Sequence, residues 1–165
     1  DSMPSYYPVS LNVTERRCAV IGGGANAERK VQGLLECGAL VTVISPQLTV
    51  VLGDLSSRGL INWEAREYRE GDLEGAFLAI AATDNPDVHR RVAWEAERLG
   101  VLLNVIDATD LCTFITPAVV RRGEVSFAIS TGGLSPALAR RLREEMEESS
   151  LLQWADLAEM ATWYE

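Results

Sequence analysis

The fold is decided by the stretch Cys18-Ala19-Val20-Ile21-Gly22-Gly23-Gly24-Ala25-Asn26-Ala27-Glu28-Arg29-Lys30. An apolar run typical of a β-strand leads into three glycines, and a helix-forming segment follows them. In the pattern G-x-G-x-x-A, Gly22 makes the tight turn, Gly24 lets the backbone approach a pyrophosphate, and Ala27 keeps the helix close to the sheet. The free N–H groups of a helix N-terminus bind phosphate oxygens. The predicted cofactor-binding residues are Gly22, Gly23, Gly24, Ala25, Asn26 and Ala27.

The surroundings of the glycines favour this interpretation over a purely structural turn. A second strand-like segment, Leu40–Ile44, follows at about the spacing of a dinucleotide-binding unit. The next position is Ser45, where an NAD-specific site usually has Asp or Glu for the ribose hydroxyls. We therefore place Ser45 at the cofactor and predict NAD. An acidic residue at this position would exclude NADP more firmly than Ser45 does.

Strand-like and helical segments alternate through residues 1–111, the first predicted domain. The expected strands are Cys18–Ile21, Leu40–Ile44, a short one around Ile61–Ala65, Phe77–Ala82 and Val101–Ile106. The expected helices are Ala25–Cys37, Pro46–Ser57 with Ser45 as N-cap, and one from Asn85-Pro86 to Gly100. This alternation predicts the α/β class, with a parallel sheet wrapped by helices in the Rossmann arrangement.

The alternation stops after Asp107. Phe114–Val120 and Glu124–Ser130 predict a β-hairpin, and Ser135-Pro136 opens a helix. We assign residues 112–148 to a small α+β region for dimerisation and substrate binding, and 149–165 to the start of a C-terminal helical segment. The apolar face of that last helix needs further chain or a second subunit to cover it.

The charge distribution indicates the kind of ligand. The net charge is −9, but residues 112–143 hold five arginines against one acid, Glu124. A short basic patch in an acidic chain argues against nucleic acid and favours a small polyanion. No apolar run has the length of a membrane span, and three scattered cysteines with one histidine predict neither a metal site nor disulfides. We expect a cytoplasmic protein with no membrane partner.

Polar residues follow two of the predicted buried strands. Asp107 follows Val101–Ile106, at the sheet edge where ligands of such folds bind, and could accept a proton. A turn or helix-capping aspartate is the other interpretation. Thr83 and Asp84 would face the cofactor, or Asp84 would cap the next helix. His89 is expected to be a solvent-facing helix residue.

Five motifs occur in a fixed order between Tyr7 and Glu147. They are Gly22-Gly23-Gly24-x-x-Ala27-x-Arg29-Lys30, Ala81-Ala82-Thr83-Asp84, Asn104-Val105-Ile106-Asp107, Phe114-Ile115-x-Pro117 and Ser130-Thr131-Gly132-Gly133-x-Ser135-Pro136-x-Leu138-Ala139-Arg140. Together they resemble the precorrin-2 dehydrogenase/sirohydrochlorin ferrochelatase family. That family includes stand-alone bacterial dehydrogenases, the N-terminal part of siroheme synthase and a bifunctional yeast enzyme.

The resemblance implies a function. Family members are homodimers that oxidise precorrin-2, an anionic tetrapyrrole, to sirohydrochlorin with NAD, and some also insert ferrous iron. The family gives the general-base role to the aspartate at the position of Asp107, and it also lacks an acid at the position of Ser45. Thr131, Gly132 and Arg140 would bind substrate carboxylates.

A different class of function shares the glycine fingerprint. Regulatory domains that sense NAD(H) have the same turn, but usually keep an acid after the second strand and lack the segment Phe114–Pro117. Ser45 and this segment therefore favour the enzyme.

Overall fold

A computed structural model of the chain describes residues 4–161. These residues form two compact units: Pro8–Phe114, and the remaining described residues 4–7 and 115–161. The division of the sequence at residues 111 and 148 stays a prediction.

The first unit contains a sheet of five parallel strands in the order β3-β2-β1-β4-β5. The strands are β1 (Arg17–Ile21), β2 (Leu40–Ile44), β3 (Asn62–Glu64), β4 (Leu78–Ala81) and β5 (Leu102–Val105). In the register, Ile21 lies beside Ile44 on one side and Ala81 on the other. The residues that follow these strands therefore meet at one edge of the sheet, and the predicted fold class is confirmed.

Helices cover both faces of this sheet. They are α1 (Ala25–Glu36), α2 (Val50–Ser57) and α3 (Pro86–Leu99). Ala27 and Val31 of α1 belong to the core on one face, while Val92 and Ala96 of α3 belong to the core on the other. Strands buried on both faces explain the continuous apolar runs of the sequence.

The predicted start of the second helix is wrong. The helix begins at Val50, and the N-cap is Thr49, whose hydroxyl accepts a hydrogen bond from the Leu52 amide at 3.2 Å. The Ser45 hydroxyl instead donates to the carbonyl of Gln47 at 2.7 Å. The Thr49 amide donates to the Gly23 carbonyl at 2.9 Å. The segment Ser45–Thr49 is thus held against the glycine turn and is not helical.

The connection from β3 to β4 is fixed by a buried carboxylate. Glu95 of α3 has no exposed surface. Its carboxylate accepts hydrogen bonds from the Tyr68 hydroxyl and from the Gly71 amide, the latter at 2.6 Å. Two donors on this connection therefore satisfy the buried carboxyl group and hold the connection against α3.

The second unit contains an antiparallel hairpin and two helices. Its elements are β6 (Ala118–Arg122), β7 (Val125–Ile129), α4 (Pro136–Glu147) and α5 (Leu151–Ala161). The first strand starts after Pro117, and the turn is Gly123-Glu124, so both strands are shorter than expected from the sequence. The Ser135 hydroxyl accepts from the Leu138 amide at 3.2 Å, which confirms the predicted start of α4.

No helix among residues 4–161 is long and apolar enough to cross a membrane. Within the same range, no group of three or more His, Cys, Asp or Glu side chains has a geometry that could hold a metal ion.

Candidate functional site

Gly22 and Gly23 are glycines for steric reasons. Gly22 has a φ of +117°, and a Cβ there would lie 2.7 Å from the carbonyl oxygen of Ala82. A Cβ on Gly23 would lie 2.0 Å from the carbonyl oxygen of Gln47 and 2.8 Å from the Ser45 hydroxyl oxygen. The turn therefore fits tightly between the segments that follow β2 and β4.

Gly24 differs from the two glycines before it. A Cβ on Gly24 would have no neighbour within 4 Å. Gly24 is the N-cap of α1 and offers no side-chain acceptor to the first amides of the helix. By contrast, side chains of Thr49, Asn85 and Ser135 cap α2, α3 and α4. The N-terminus of α1 thus keeps its N–H groups and the positive end of its dipole for an anion, and a dinucleotide pyrophosphate fits there.

The other predicted residues of the turn have contacts of their own. Asn26 accepts a hydrogen bond from the Arg29 guanidinium through its side-chain oxygen. Ala27 is fully buried and packs in the core beside β1. Burial lowers the pKa of Lys30 in the next turn, and the charge of Arg29 lowers it further.

Ser45 is buried at the end of β2, with its hydroxyl bonded to Gln47. Its carbonyl accepts a hydrogen bond from the indole N–H of Trp63 at 2.8 Å. Trp63 is exposed on β3 and was not among the predicted cofactor-binding residues. Its signal in the sequence was an aromatic residue in the middle of the short alternating segment Ile61–Ala65.

The segment after β4 lies against the glycine turn. The Thr83 amide nitrogen would lie 3.3 Å from a Cβ on Gly22. Asn85, and not Asp84, caps α3, because its side-chain oxygen accepts from the amides of Asp87 and Val88 at 3.0 and 3.5 Å. The capping interpretation of Asp84 is therefore wrong, and the Asp84 side chain is exposed.

His89 has a different position from the one expected. The residue is partly buried, and its ring nitrogen Nε2 is hydrogen bonded to the carbonyl oxygen of Thr83. It therefore helps to hold the segment after β4 in place. A lone histidine in the first turn of a helix gave no sequence signal for this contact.

Asp107 follows β5 at the edge of the sheet that also carries the glycine turn. Its side chain is exposed, and its φ is +60°, in the left-handed region. The turn around it is closed by a bond of 3.4 Å from the Ala108 amide to the Val105 carbonyl. A non-glycine residue in this region is uncommon, although Asp tolerates it better than most residues.

The remaining predicted residues lie in the second unit. The Thr131 hydroxyl bonds to the backbone of Ser135, accepting from its amide and donating to its carbonyl, both at 3.1 Å. The Gly132 amide donates to the Ser130 hydroxyl at 3.1 Å. Arg140 is exposed on α4, and no ion pair joins it to any side chain described by the structure.

Acidic residues neutralise part of the basic patch. Arg141 pairs with Glu145, and Arg122 with Asp156. Arg143 pairs with glutamates of the same helix. The positive charge available to a ligand in this unit is therefore smaller than the sequence count suggested.

Two known protein families match most of the chain. Residues 9–118 match a family described as NAD(P)-binding, and residues 122–149 match a family described as sirohaem biosynthesis protein, central. The siroheme synthase of Methylococcus capsulatus is 43% identical over 156 residues, which is 94% of this chain and 33% of that protein. The siroheme synthase of Methylobacillus flagellatus is 44% identical over 140 residues, 85% of this chain and 30% of that protein. The chain thus spans about a third of the length of these curated relatives.

A solved structure gives the same family. The structure titled SirC, precorrin-2 dehydrogenase, has a TM-score of 0.78 and 30% identity, covering 87% of this chain and 70% of that one. The parallel sheet and the glycine turn define the class as a Rossmann-type NAD(P)-binding protein. Within that class, the chain belongs to the precorrin-2 dehydrogenase family, which includes the N-terminal region of siroheme synthase.

Proposed function

We propose that this chain catalyses the NAD-dependent oxidation of precorrin-2 to sirohydrochlorin in siroheme biosynthesis. One observation carries the proposal: an uncapped helix N-terminus at Gly24 and an exposed carboxylate at Asp107 lie at the same edge of the parallel sheet. The first suits a dinucleotide, and the second suits a proton acceptor beside it. The solved structure at 30% identity is titled SirC, precorrin-2 dehydrogenase, which names the dehydrogenation of precorrin-2.

NAD is the cofactor that the residues after β2 favour. The segment Ser45–Thr49 contains no basic side chain, so a 2′-phosphate would find no cation there. The guanidinium of Arg66, beyond β3, is occupied by both carboxylate oxygens of Asp72, at 2.8 and 2.9 Å. In this proposal the amides of Ala25 to Ala27 hold the pyrophosphate, while Ser45, Thr83 and Asp84 lie near the sugars and the nicotinamide.

In the proposed reaction the substrate loses two hydrogens, one as a hydride and one as a proton. When bound, NAD supplies a hydride acceptor. The second hydrogen leaves as a proton, and Asp107 takes it as general base. An exposed carboxylate that makes no hydrogen bond or ion pair with the groups the structure describes is free to accept that proton.

The substrate is proposed to be an anionic tetrapyrrole. Arg140 supports this assignment, because it is exposed and makes no ion pair with the described side chains. The hydroxyl of Thr131 and the backbone of Gly132 are bonded within their own turn, so they would contribute shape and orientation there.

We also propose a homodimer located in the cytoplasm. Leu138 and Leu142, one turn apart on α4, are 50% and 41% exposed, and Leu134, two residues before the helix, is 73% exposed. A row of large apolar side chains in a small unit needs a partner, and a second copy can supply the same row.

An anaerobic assay tests the function. The full chain is incubated with precorrin-2 and NAD, and sirohydrochlorin and NADH are followed by absorbance. We expect both products to form in equal amounts, with NADP a poorer cofactor. NAD binding without any turnover would favour a sensing domain instead, and it would refute the enzyme assignment. A parallel sample with ferrous ion shows whether siroheme follows.

A further inference from the structure

Strand β5 is the last strand of the sheet, and one of its edges faces no other strand. On the β4 side, the Leu102 amide donates a hydrogen bond to the Phe77 carbonyl at 3.4 Å, and the Ile106 amide donates one to the Ala81 carbonyl at 3.0 Å. The backbone groups of the residues between them, Leu103 and Val105, therefore point to the free edge. Buried backbone groups need partners, and the segment after Asp107 provides them.

This edge is closed by three consecutive residues, Cys112, Thr113 and Phe114. The Thr113 hydroxyl accepts from the Leu103 amide at 2.7 Å, and the Thr113 amide donates to the Leu103 carbonyl at 2.8 Å. The Phe114 carbonyl accepts from the Asn104 side chain at 3.1 Å. The Val105 amide donates to the sulfur of Cys112 at 3.1 Å.

Cys112 also contacts both ends of the turn that carries Asp107. Its sulfur lies 3.3 Å from the Val105 carbonyl oxygen and 3.4 Å from the Ala108 carbonyl oxygen. The thiol proton can be donated to either oxygen. Burial raises the pKa of the Cys112 thiol, so the proton stays in place at neutral pH. Without this side chain, the described structure would link Val105 directly to Ala108 only through their own long hydrogen bond of 3.4 Å, while the Ile106 amide would stay bonded to Ala81 and the Leu111 amide to Ala108, each at 3.0 Å.

The position of the Asp107 carboxylate depends on this turn. Among the groups that the structure describes, none forms a hydrogen bond or ion pair with this carboxylate, so the backbone of the turn directs it. A backbone held at a φ of +60° relaxes when its surroundings stop restraining it. A general base that shifts by about 1 Å loses much of its effect on the rate.

We infer that Cys112 is a positioning residue for the general base, acting through the turn Val105–Ala108 rather than on the substrate. The inference rests on the proposed role of Asp107. It differs from a role in stability alone, because Thr113 closes the same edge but does not contact the turn.

Four variants test this in the full chain by anaerobic turnover of precorrin-2. Cys112→Ala should lower kcat by about 10- to 100-fold with little change in the affinity for NAD. Cys112→Ser, which keeps one donor and one acceptor, should restore most of kcat. Cys112→Val keeps the volume without the hydrogen bonds and repeats the test if a cavity prevents folding. Thr113→Val is the matched control, expected to lower thermal stability while kcat changes less than about threefold.

A second background separates the two proposals. In Asp107→Asn protein, where the base is already absent, Cys112→Ala should lower the residual kcat no further. Hydrogen exchange of the Val105 amide should also become faster in Cys112→Ala but not in Thr113→Val.

Equal losses of kcat in both backgrounds, or an unchanged kcat in folded Cys112→Ala, would overturn the positioning role. If Asp107→Asn is itself fully active, the proposed base is wrong and the positioning role fails with it.

Discussion

Gly23 lies directly against Gln47: a Cβ on Gly23 would be 2.0 Å from the Gln47 carbonyl oxygen. The next residue, Gly24, has no atom within 4 Å of the same position. Two adjacent glycines therefore have different roles, because Gly23 is required by packing and Gly24 leaves room beside the helix N-terminus. Substitutions at the two positions should separate folding from cofactor binding.

Gly24→Asp should keep the fold and lose the cofactor. The side chain of an aspartate at this N-cap would accept hydrogen bonds from the first amides of α1. It would stabilise the helix by a few tenths to about 1 kcal/mol. The same carboxylate would repel the pyrophosphate and occupy its donors, so the affinity for NAD should fall at least about tenfold. Isothermal titration calorimetry and thermal melting measure the two effects.

Two further variants control this experiment. Gly24→Asn keeps the capping oxygen without the charge and should lose less affinity than Gly24→Asp. Gly23→Ala should lower the free energy of unfolding by about 1–3 kcal/mol, because the methyl group overlaps backbone atoms. If Gly24→Asp bound NAD as tightly as the original chain, the pyrophosphate would not lie at this turn.

Asp107→Asn should separate chemistry from structure. Asparagine tolerates the left-handed backbone as well as aspartate does but cannot take the proton. We expect kcat to fall by about 10²–10⁴-fold, with NAD affinity and melting temperature nearly unchanged. Anaerobic turnover, titration and melting are measured on the same preparation. A variant that still turns over precorrin-2 at the original rate would make Asp107 a turn residue only.

Much of the first unit follows from local sequence signals. The triple glycine, the apolar runs and the Asn85-Pro86 start of α3 predict their elements because a turn, a buried strand and an N-cap each depend on neighbouring residues. The start of α2 could not be predicted in this way. Ser45-Pro46 has the composition of a helix start, but contacts with Gly23 from an earlier part of the chain fix it in another conformation.

The sequence predicted where Gly24 and Asp107 lie in the fold, but not the contacts around them. Motif spacing placed Gly24 and Asp107 after parallel strands, and the topology brings those strand ends to one edge. The left-handed backbone of Asp107, the contact of Cys112 with its turn, and the bond from His89 to Thr83 come from tertiary packing. A single sequence gives no local pattern for such contacts.

Stability should fall at high pH because of Cys18. Burial of this thiol on β1 raises its pKa from 9.0 to about 11, although Arg16 and the Leu78 amide lower it. The unfolded chain ionises first, so the stability is intact below pH 9 and decreases as the pH rises towards 11. A shift of this size corresponds to about 2–3 kcal/mol.

Urea unfolding at several pH values between 8 and 11 measures this effect. In Cys18→Ala the decrease should be smaller by about that amount. Identical pH profiles for the original chain and Cys18→Ala would show that the thiol does not resist ionisation.

A charge in the leucine row of α4 should weaken the proposed dimer. Leu138→Glu places a carboxylate among exposed apolar side chains that we expect a second copy to bury, so the dissociation constant should rise at least about tenfold. Ala137→Glu is the control, because it adds the same charge at an exposed position of α4 beside the row. Sedimentation velocity over a range of concentrations measures the dissociation constant of each variant. A monomer at micromolar concentration before any substitution would refute the dimer.

Tyr68→Phe should show how much the buried carboxylate depends on its donors. The variant removes the hydroxyl that bonds to Glu95 and leaves one carboxylate oxygen buried without a partner. This should lower the free energy of unfolding by about 1–3 kcal/mol, measured in urea near neutral pH. In a Glu95→Ala background the same change should have a much smaller effect, since the group that needs the donor is absent. Equal losses in the two backgrounds would mean that Tyr68 stabilises the protein through its ring, which packs in the core beside Leu73, and that Gly71 alone satisfies the carboxylate.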